Sequence, residues 1–187
     1  DSNNLYQYKF DLATNTGVEK KMLEGVASSS AFMGNFSASD ISMSPDGAML
    51  AYRKKMSETR HGIALYKFAD NSTKDIYSPD DKRSVNHIGW SPDSKSIVFE
   101  TTFFGAGDGA GQVQGIYKVA VASGDSDSIV ESDNGRYYTL GYSPDGKKIG
   151  YILGKTLNYY DLSSEAGIEV HKTAEGNLSL KGFAWEK

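Results

Sequence analysis

Apolar and polar residues alternate along most of this chain in short stretches, and clusters of Ser, Asp, Asn and Gly separate those stretches. Alternation with a period of two predicts half-buried β-strands joined by tight turns. No long segment carries an apolar stripe at helical spacing. The best helix candidate, Val18 to Val26, is short and poorly capped. The pattern therefore predicts an all-β chain.

The alternation is organised as a repeat. Three twelve-residue windows align without gaps: Ile41 to Tyr52 (ISMSPDGAMLAY), Ile88 to Phe99 (IGWSPDSKSIVF) and Leu140 to Tyr151 (LGYSPDGKKIGY). Their starts lie 47 and 52 residues apart, and a broken fourth copy, Lys181 to Ala184, begins 41 residues after the third. Each window predicts a hairpin. Ser44, Ser91 and Ser143 suit the first position of a type I turn, where the side chain reaches backbone N–H groups ahead. Pro45, Pro92 and Pro144 follow where φ near −65° is wanted, and Asp46, Asp93 and Asp145 come next. Gly47 and Gly146 fit a left-handed position that reverses the chain; Ser94 occupies that place in the second copy and is expected to tolerate it less well.

A second shared pattern follows the windows. Leu5 to Asp11, Ile63 to Ala69, Gln114 to Ala120 and Lys155 to Asp161 align with Phe10, Phe68, Val119 and Tyr160 in one column. A polar turn and a further strand come after each, near Glu19 to Leu23, Lys74 to Tyr77, Ser128 to Val130 and Ile168 to His171. Four short strands in a unit of this length predict one blade of a β-propeller. Ser78-Pro79-Asp80-Asp81 has no apolar trio after it and reads as a loop between blades.

The stretches GWSPDSKSIVF, GYSPDGKKIGY and LNYYDLSS resemble the TolB-type, WD-like β-propeller repeat. The resemblance runs from Leu5 to Trp185 and implies an all-β propeller of four-stranded antiparallel blades. Strand counting predicts a partial blade over 1–37, complete blades over 38–84, 85–136 and 137–176, and a partial blade over 177–187. Two arrangements fit. The chain is either a piece of a six- to eight-bladed ring that continues beyond both ends, or a small four-bladed ring closed by Asn177 to Trp185. The mid-blade start and stop favour the first. The chain opens on Asp1 without Met or signal peptide, which is expected either where processing has removed the start or where the chain is an excised piece. The TolB-type repeat serves the TolB periplasmic protein, other bacterial envelope and secreted proteins, and the propellers of prolyl-oligopeptidase-type and tricorn-type proteases. It thus implies a non-catalytic protein-binding scaffold, periplasmic or extracellular. The alternative it implies is the gating propeller of a larger serine peptidase or other hydrolase, with the catalytic domain outside this chain.

Composition narrows the chemistry. At 39% hydrophobic and 24% charged residues, the 187-residue chain is expected to fold around a core. It has no cysteine, which excludes disulfides, thiol catalysis and cysteine zinc sites. No apolar run is long enough for a membrane-spanning helix. A net charge of −4 argues against nucleic acid as a partner. The hydrolase elbow G-x-S-x-G is absent, and Pro-Asp after Gly89-Trp90-Ser91 and Gly141-Tyr142-Ser143 makes those stretches turns. His61, His87 and His171 lack metal-ligand spacing. Asp108, Asp125 and Asp127 could offer oxygens to calcium, but no complete loop surrounds them; no other cofactor is expected. Gly105 to Gly111 matches no nucleotide loop and reads as a flexible insertion, preceded by Phe103 and Phe104 as packing residues or a partner anchor. Arg53-Lys54-Lys55, with Arg60 nearby, reads as a solvated strand end or as a patch for an acidic partner.

In a propeller, the first strand of each blade lines the central channel. The residues just before the windows are therefore expected near one mouth of it. Asp40, Asn86, His87, Arg136 and Tyr138 are the candidates there for holding a peptide, a sugar or an ion. A carbohydrate-cleaving role would need paired carboxylates, and Asp40 supplies only one.

Overall fold

In the computed structural model, residues 5–11, 13–14, 16–23, 41–57, 60–79, 83–103, 113–135, 137–172 and 184–185 are described. Within them the chain forms β1 (Leu5–Asp11), β2 (Thr16–Leu23), β3 (Ile41–Met43), β4 (Met49–Lys55), β5 (His61–Lys67), β6 (Thr73–Tyr77) and β7 (Arg83–Trp90). It continues through β8 (Ser96–Phe103), β9 (Val113–Ala120), β10 (Ser126–Gly135), β11 (Tyr137–Tyr142), β12 (Lys148–Leu153), β13 (Thr156–Asp161) and β14 (Ala166–Lys172). There is no helix among the described residues. The helix candidate at Val18 falls largely in β2, whose Val18 pairs with Lys9. Gly17 weakens a helix there, and Thr16 and Val18 are β-branched.

β3 to β6, β7 to β10 and β11 to β14 form three four-stranded antiparallel sheets in sequence order, and β1 with β2 forms a two-stranded one. The three sheets are propeller blades, called blades 1, 2 and 3 below. Ser78 and Pro79 follow β6 in the connection to β7, as expected of an inter-blade loop; Asp80 and Asp81 lie outside the described residues.

The turns form as their residues dictate. The N–H groups of Gly47, Ser94 and Gly146 donate to the carbonyls of Ser44, Ser91 and Ser143 at 2.9, 3.0 and 2.9 Å. Each of those three serine hydroxyls donates to the aspartate two residues on, at 2.6 Å. Each also accepts the N–H five residues on, at 2.9 Å, which pins the second strand. The bonds hold the carboxyls of Asp46, Asp93 and Asp145 below the usual range, the serine hydroxyl being the largest cause. Ser94 does sit at φ 60°, where glycine costs less. Its hydroxyl accepts the Asp46 N–H of the neighbouring blade's turn at 3.2 Å, so part of that strain is offset by an inter-blade bond.

Blades stack through apolar faces. Ala51, Ile63, Leu65 and Ile76 of blade 1 pack against Val85, Ile88, Trp90, Ile97 and Phe99 of blade 2. Val98 and Ile116 of blade 2 pack against Ile149 and Tyr151 of blade 3. Polar clamps sit beside them. Trp90 Nε1 donates to the Ser42 carbonyl at 2.9 Å, and the Tyr142 and Ser96 hydroxyls meet at 3.0 Å.

One sequence alignment slips by two residues. The N–H groups of Phe68, Val121 and Leu162 donate to the carbonyls of Ala48, Lys95 and Lys147, so these three share a column. Val119 and Tyr160 do not stand in it. A slip of two leaves every side chain on its proper face, so alternation alone could not detect it.

Candidate functional site

The first strand of each blade lies at one edge of its sheet, the edge that faces the axis in a propeller. Two of these inner strands are irregular at the same place. In β7, Ile88 faces Phe99 and Asn86 faces Glu100, which leaves His87 as an extra residue. In β11, Leu140 faces Tyr151 and Tyr137 faces Leu153, so Tyr138 and Thr139 share Ile152. Both are β-bulges directly before the repeated window. A bulge bends its strand and re-aims side chains, and bulges gather beside functional sites. His87 stands at φ 45°, a left-handed conformation that is costly for a non-glycine residue.

Buried charges brace the β7 bulge on both sides. Glu100 on β8 is 1% exposed, and its Oε1 lies 2.9 Å from Nδ1 of His87, whose side chain is 40% exposed. Burial pushes the Glu100 carboxyl up, and the His87 contact pulls it partly back. Arg53 on β4 is 8% exposed, and its Nη1 donates to Asn86 Oδ1 at 3.0 Å. Asn86 Nδ2 donates in turn to the Thr102 hydroxyl. Arg53, Glu100 and Ile152 each follow the last residue of their window, so one column holds a cation, an anion and an apolar group in successive blades. Arg53 is accordingly not part of a solvated strand end.

His61, at the start of β5, makes a further contact between blades 1 and 2. Its Nδ1 lies 2.9 Å from the Ser84 hydroxyl on β7. Burial, then the charges of Arg53 and Lys55, lower its pKa to about 4. The unfolded chain takes up a proton at this histidine below about pH 6.5, whereas the folded chain resists until about pH 4. Stability is therefore expected to fall across that window as pH drops, by on the order of 1–2 kcal/mol after allowance for solvent screening. The turn aspartates, with folded values below 3.8, lose their contribution only at lower pH. Urea midpoints at pH 7 and pH 4.5 should differ less in His61→Gln than in the parent chain. An undiminished difference would rule out His61 as the source.

Of the five mouth candidates, Asn86 bonds to Arg53 and the adjacent His87 meets Glu100, two neighbouring contacts on β7. They lie within β7, which extends five residues before its window. Tyr138 stands at the matching bulge of β11. Asp40 and Arg136 lie outside the described residues, as do Phe104, Asp108 and Gly105 to Gly111. Phe103 ends β8. Asp127 lies 3.7 Å from Lys118, and no group of three potential metal ligands occurs among the described residues. Sequence reasoning missed Glu100. The available signal was a charge placed directly after the apolar run Ile97-Val98-Phe99, in the column of Arg53. At the opposite end of the inner strands, a cleft of about 230 Å³ lies between blades 2 and 3, with Asp93, Tyr142, Asp145 and Lys118 in its walls.

No protein-family model and no curated protein matches this sequence. Solved structures do. The chain is similar to TolB from Acinetobacter baumannii, with 19% identity, a TM-score of 0.54, and coverage of 89% of this chain and 38% of that one. It is similar to oligogalacturonate lyase from Vibrio parahaemolyticus, with 16% identity, a TM-score of 0.64, and coverage of 90% and 46%. It is also similar to dipeptidyl peptidase 4 from Porphyromonas gingivalis, with 12% identity, a TM-score of 0.56, and coverage of 89% and 28%. The chain thus spans less than half the length of each. No helix among the described residues is long and apolar enough to cross a membrane. The blades, their order and these likenesses together establish the fold as that of a TolB-like β-propeller.

Proposed function

We propose that this chain is a non-catalytic scaffold that binds a protein partner in the bacterial envelope or outside the cell. The observation that carries this reading is the recurrence of one bulge on the inner strands of two consecutive blades. Equivalent irregularities at equal height form a row facing the axis. Asn86 and His87 in that row are held by buried Arg53 and Glu100, so little side-chain freedom remains to be lost on binding. The clamped blades supply the rigid support, and the loops above them supply the variable contacts.

The test is affinity capture from an envelope extract, with the parent chain beside a His87→Gln/Tyr138→Ala variant. Glutamine keeps a hydrogen-bonding group next to Glu100, so the variant should melt within about 3 °C of the parent, in line with a change below 1 kcal/mol. The parent should retain a defined protein that the variant loses. Equal retention by both removes the bulge row from the binding surface. Hydrolysis of a peptide or glycan by the purified chain, without retained protein, overturns the scaffold reading. The competing reading is a substrate-gating propeller of a larger peptidase, and a longer parent sequence with a downstream G-x-S-x-G elbow would favour it.

A further inference from the structure

At the turn end, the two junctions between complete blades follow one plan but close differently. Between blades 1 and 2, the Ser94 hydroxyl accepts the Asp46 N–H at 3.2 Å, and Trp90 Nε1 donates to the Ser42 carbonyl. Between blades 2 and 3, Gly146 stands where Ser94 stands, and Tyr142 where Trp90 stands. Gly146 has no hydroxyl to offer the Asp93 N–H, and the Tyr142 hydroxyl turns to Ser96 at 3.0 Å. The cleft of about 230 Å³ lies at this second junction, with Gly146 and Pro92 in its wall.

Its walls offer acceptors, donors and apolar surface together. Oδ1 of Asp93 accepts the Ser91 hydroxyl and the Lys95 N–H, and Oδ1 of Asp145 accepts the Ser143 hydroxyl and the Lys147 N–H. Among the described residues, Oδ2 of each carboxylate is left for a ligand. Lys118 Nζ lies 3.7 Å from Asp127, beyond hydrogen-bond range, so its N–H groups are available to an acceptor. Half-buried Tyr142 and Leu162 supply the apolar part. The charges balance: Lys95, Lys147 and Lys148 act on the two aspartates from outside, and Lys118 does so from within the wall. A cation meets Lys118 and an anion meets two carboxylates. Neighbouring hydroxyls on a neutral ring suit both, since each donates to a carboxylate and accepts from an ammonium. Small-molecule pockets usually run from about 300 to 1,000 Å³, so this cleft admits little more than one ring.

We infer that the cleft between blades 2 and 3 is a binding site for a single neutral sugar ring that presents neighbouring hydroxyls. It lies at the opposite end of the inner strands from the bulge row, and it goes beyond the protein-binding reading without depending on it.

Titration of the whole chain, followed by the amide NMR shifts of Asp93 and Gly146, tests it. The probes are methyl α-glucopyranoside, methyl α-mannopyranoside and methyl α-galactopyranoside. At least one should give saturable shifts, in the millimolar range expected of so few ligand atoms. Glucuronate and Nα-acetyl-lysine amide should each bind several-fold more weakly. Gly146→Ser is the sharper variant. Ser94 already holds φ 60° at the matching position, and a Cβ at Gly146 would meet Pro92 Cδ at an ordinary 3.5 Å, so the variant should fold. Its hydroxyl should close the junction as Ser94 does and lower sugar affinity at least about tenfold, equivalent to about 1.4 kcal/mol. Gly47→Ser puts the same strain, at φ 71°, on a turn away from the cleft and should bind as the parent does. Asp93→Asn keeps an oxygen for Ser91 and Lys95, should lower affinity several-fold, and gives a readout even if Gly146→Ser does not fold. No saturable shift with any of the three glycosides overturns the inference, as does parent-like affinity in Asp93→Asn or in a folded Gly146→Ser. Tighter binding of the lysine amide or of glucuronate overturns the assignment to a neutral ring. Loss of sugar binding leaves the capture of a protein partner untouched, and failed capture leaves the sugar titration standing.

Discussion

Phe99→Ala is expected to lower the unfolding free energy by about 3–5 kcal/mol, the largest effect of any single change considered. Phe99 is fully buried in β8 and lies on the face that blade 2 turns to blade 1. Its ring centre is 4.5 Å from that of Tyr77 on β6 and 5.9 Å from that of Tyr117 on β9. The ring therefore joins the outer strand of one blade to the third strand of the next, and alanine would leave a cavity between two sheets that cannot collapse together. Urea unfolding followed by far-UV circular dichroism measures the loss. Phe68→Ala, where the ring is only partly buried at a turn, should cost clearly less. A Phe99 variant no weaker than the Phe68 variant would refute the inter-blade role.

The second large effect concerns the pair beneath the bulge. His87→Ala is expected to cost about 2–3 kcal/mol at neutral pH, because it leaves the Glu100 carboxylate buried without its partner. Breaking a fully buried pair costs about 3–5 kcal/mol. The half-exposed His87 ring brings the figure down. The sign follows from the direction of the Glu100 shift. With its folded pKa raised above 4.5, Glu100 contributes most when protonated, and that contribution is lost as pH rises through the folded value. Removing His87 takes away what holds that value down. Adding Glu100→Gln should recover most of the lost stability, since a neutral amide escapes the cost of burying a charge. If the double variant is no more stable than His87→Ala, the loss comes from the bulge backbone and not from the stranded carboxylate. The same pair explains why His87→Gln, rather than alanine, suits a binding test.

The turn end of this propeller was legible residue by residue. Ser-Pro-Asp-Gly reverses the chain through contacts among neighbours, and the structure repeats those bonds in all three copies, even where Ser94 replaces glycine. Blade order followed from the spacing of the windows. The end proposed for binding a partner was legible only in part. Asn86, His87 and Tyr138 could be picked out because they precede a window, but their bulge depends on which residue of the next strand each one faces. The basic run was visible as charge, yet whether Arg53 met water or another blade was not.

By itself, then, the sequence determined the hairpins and the four-stranded unit, since these depend on side chains a few residues apart, and it carried the resemblance to the TolB-type repeat. Tertiary structure alone decided the bulges, the true column of Val121 and Leu162, and the burial of Arg53 and Glu100. Pairing between strands is blind to a shift of two residues in the alternation, and the surroundings of a charge belong to the neighbouring blade rather than to its own strand.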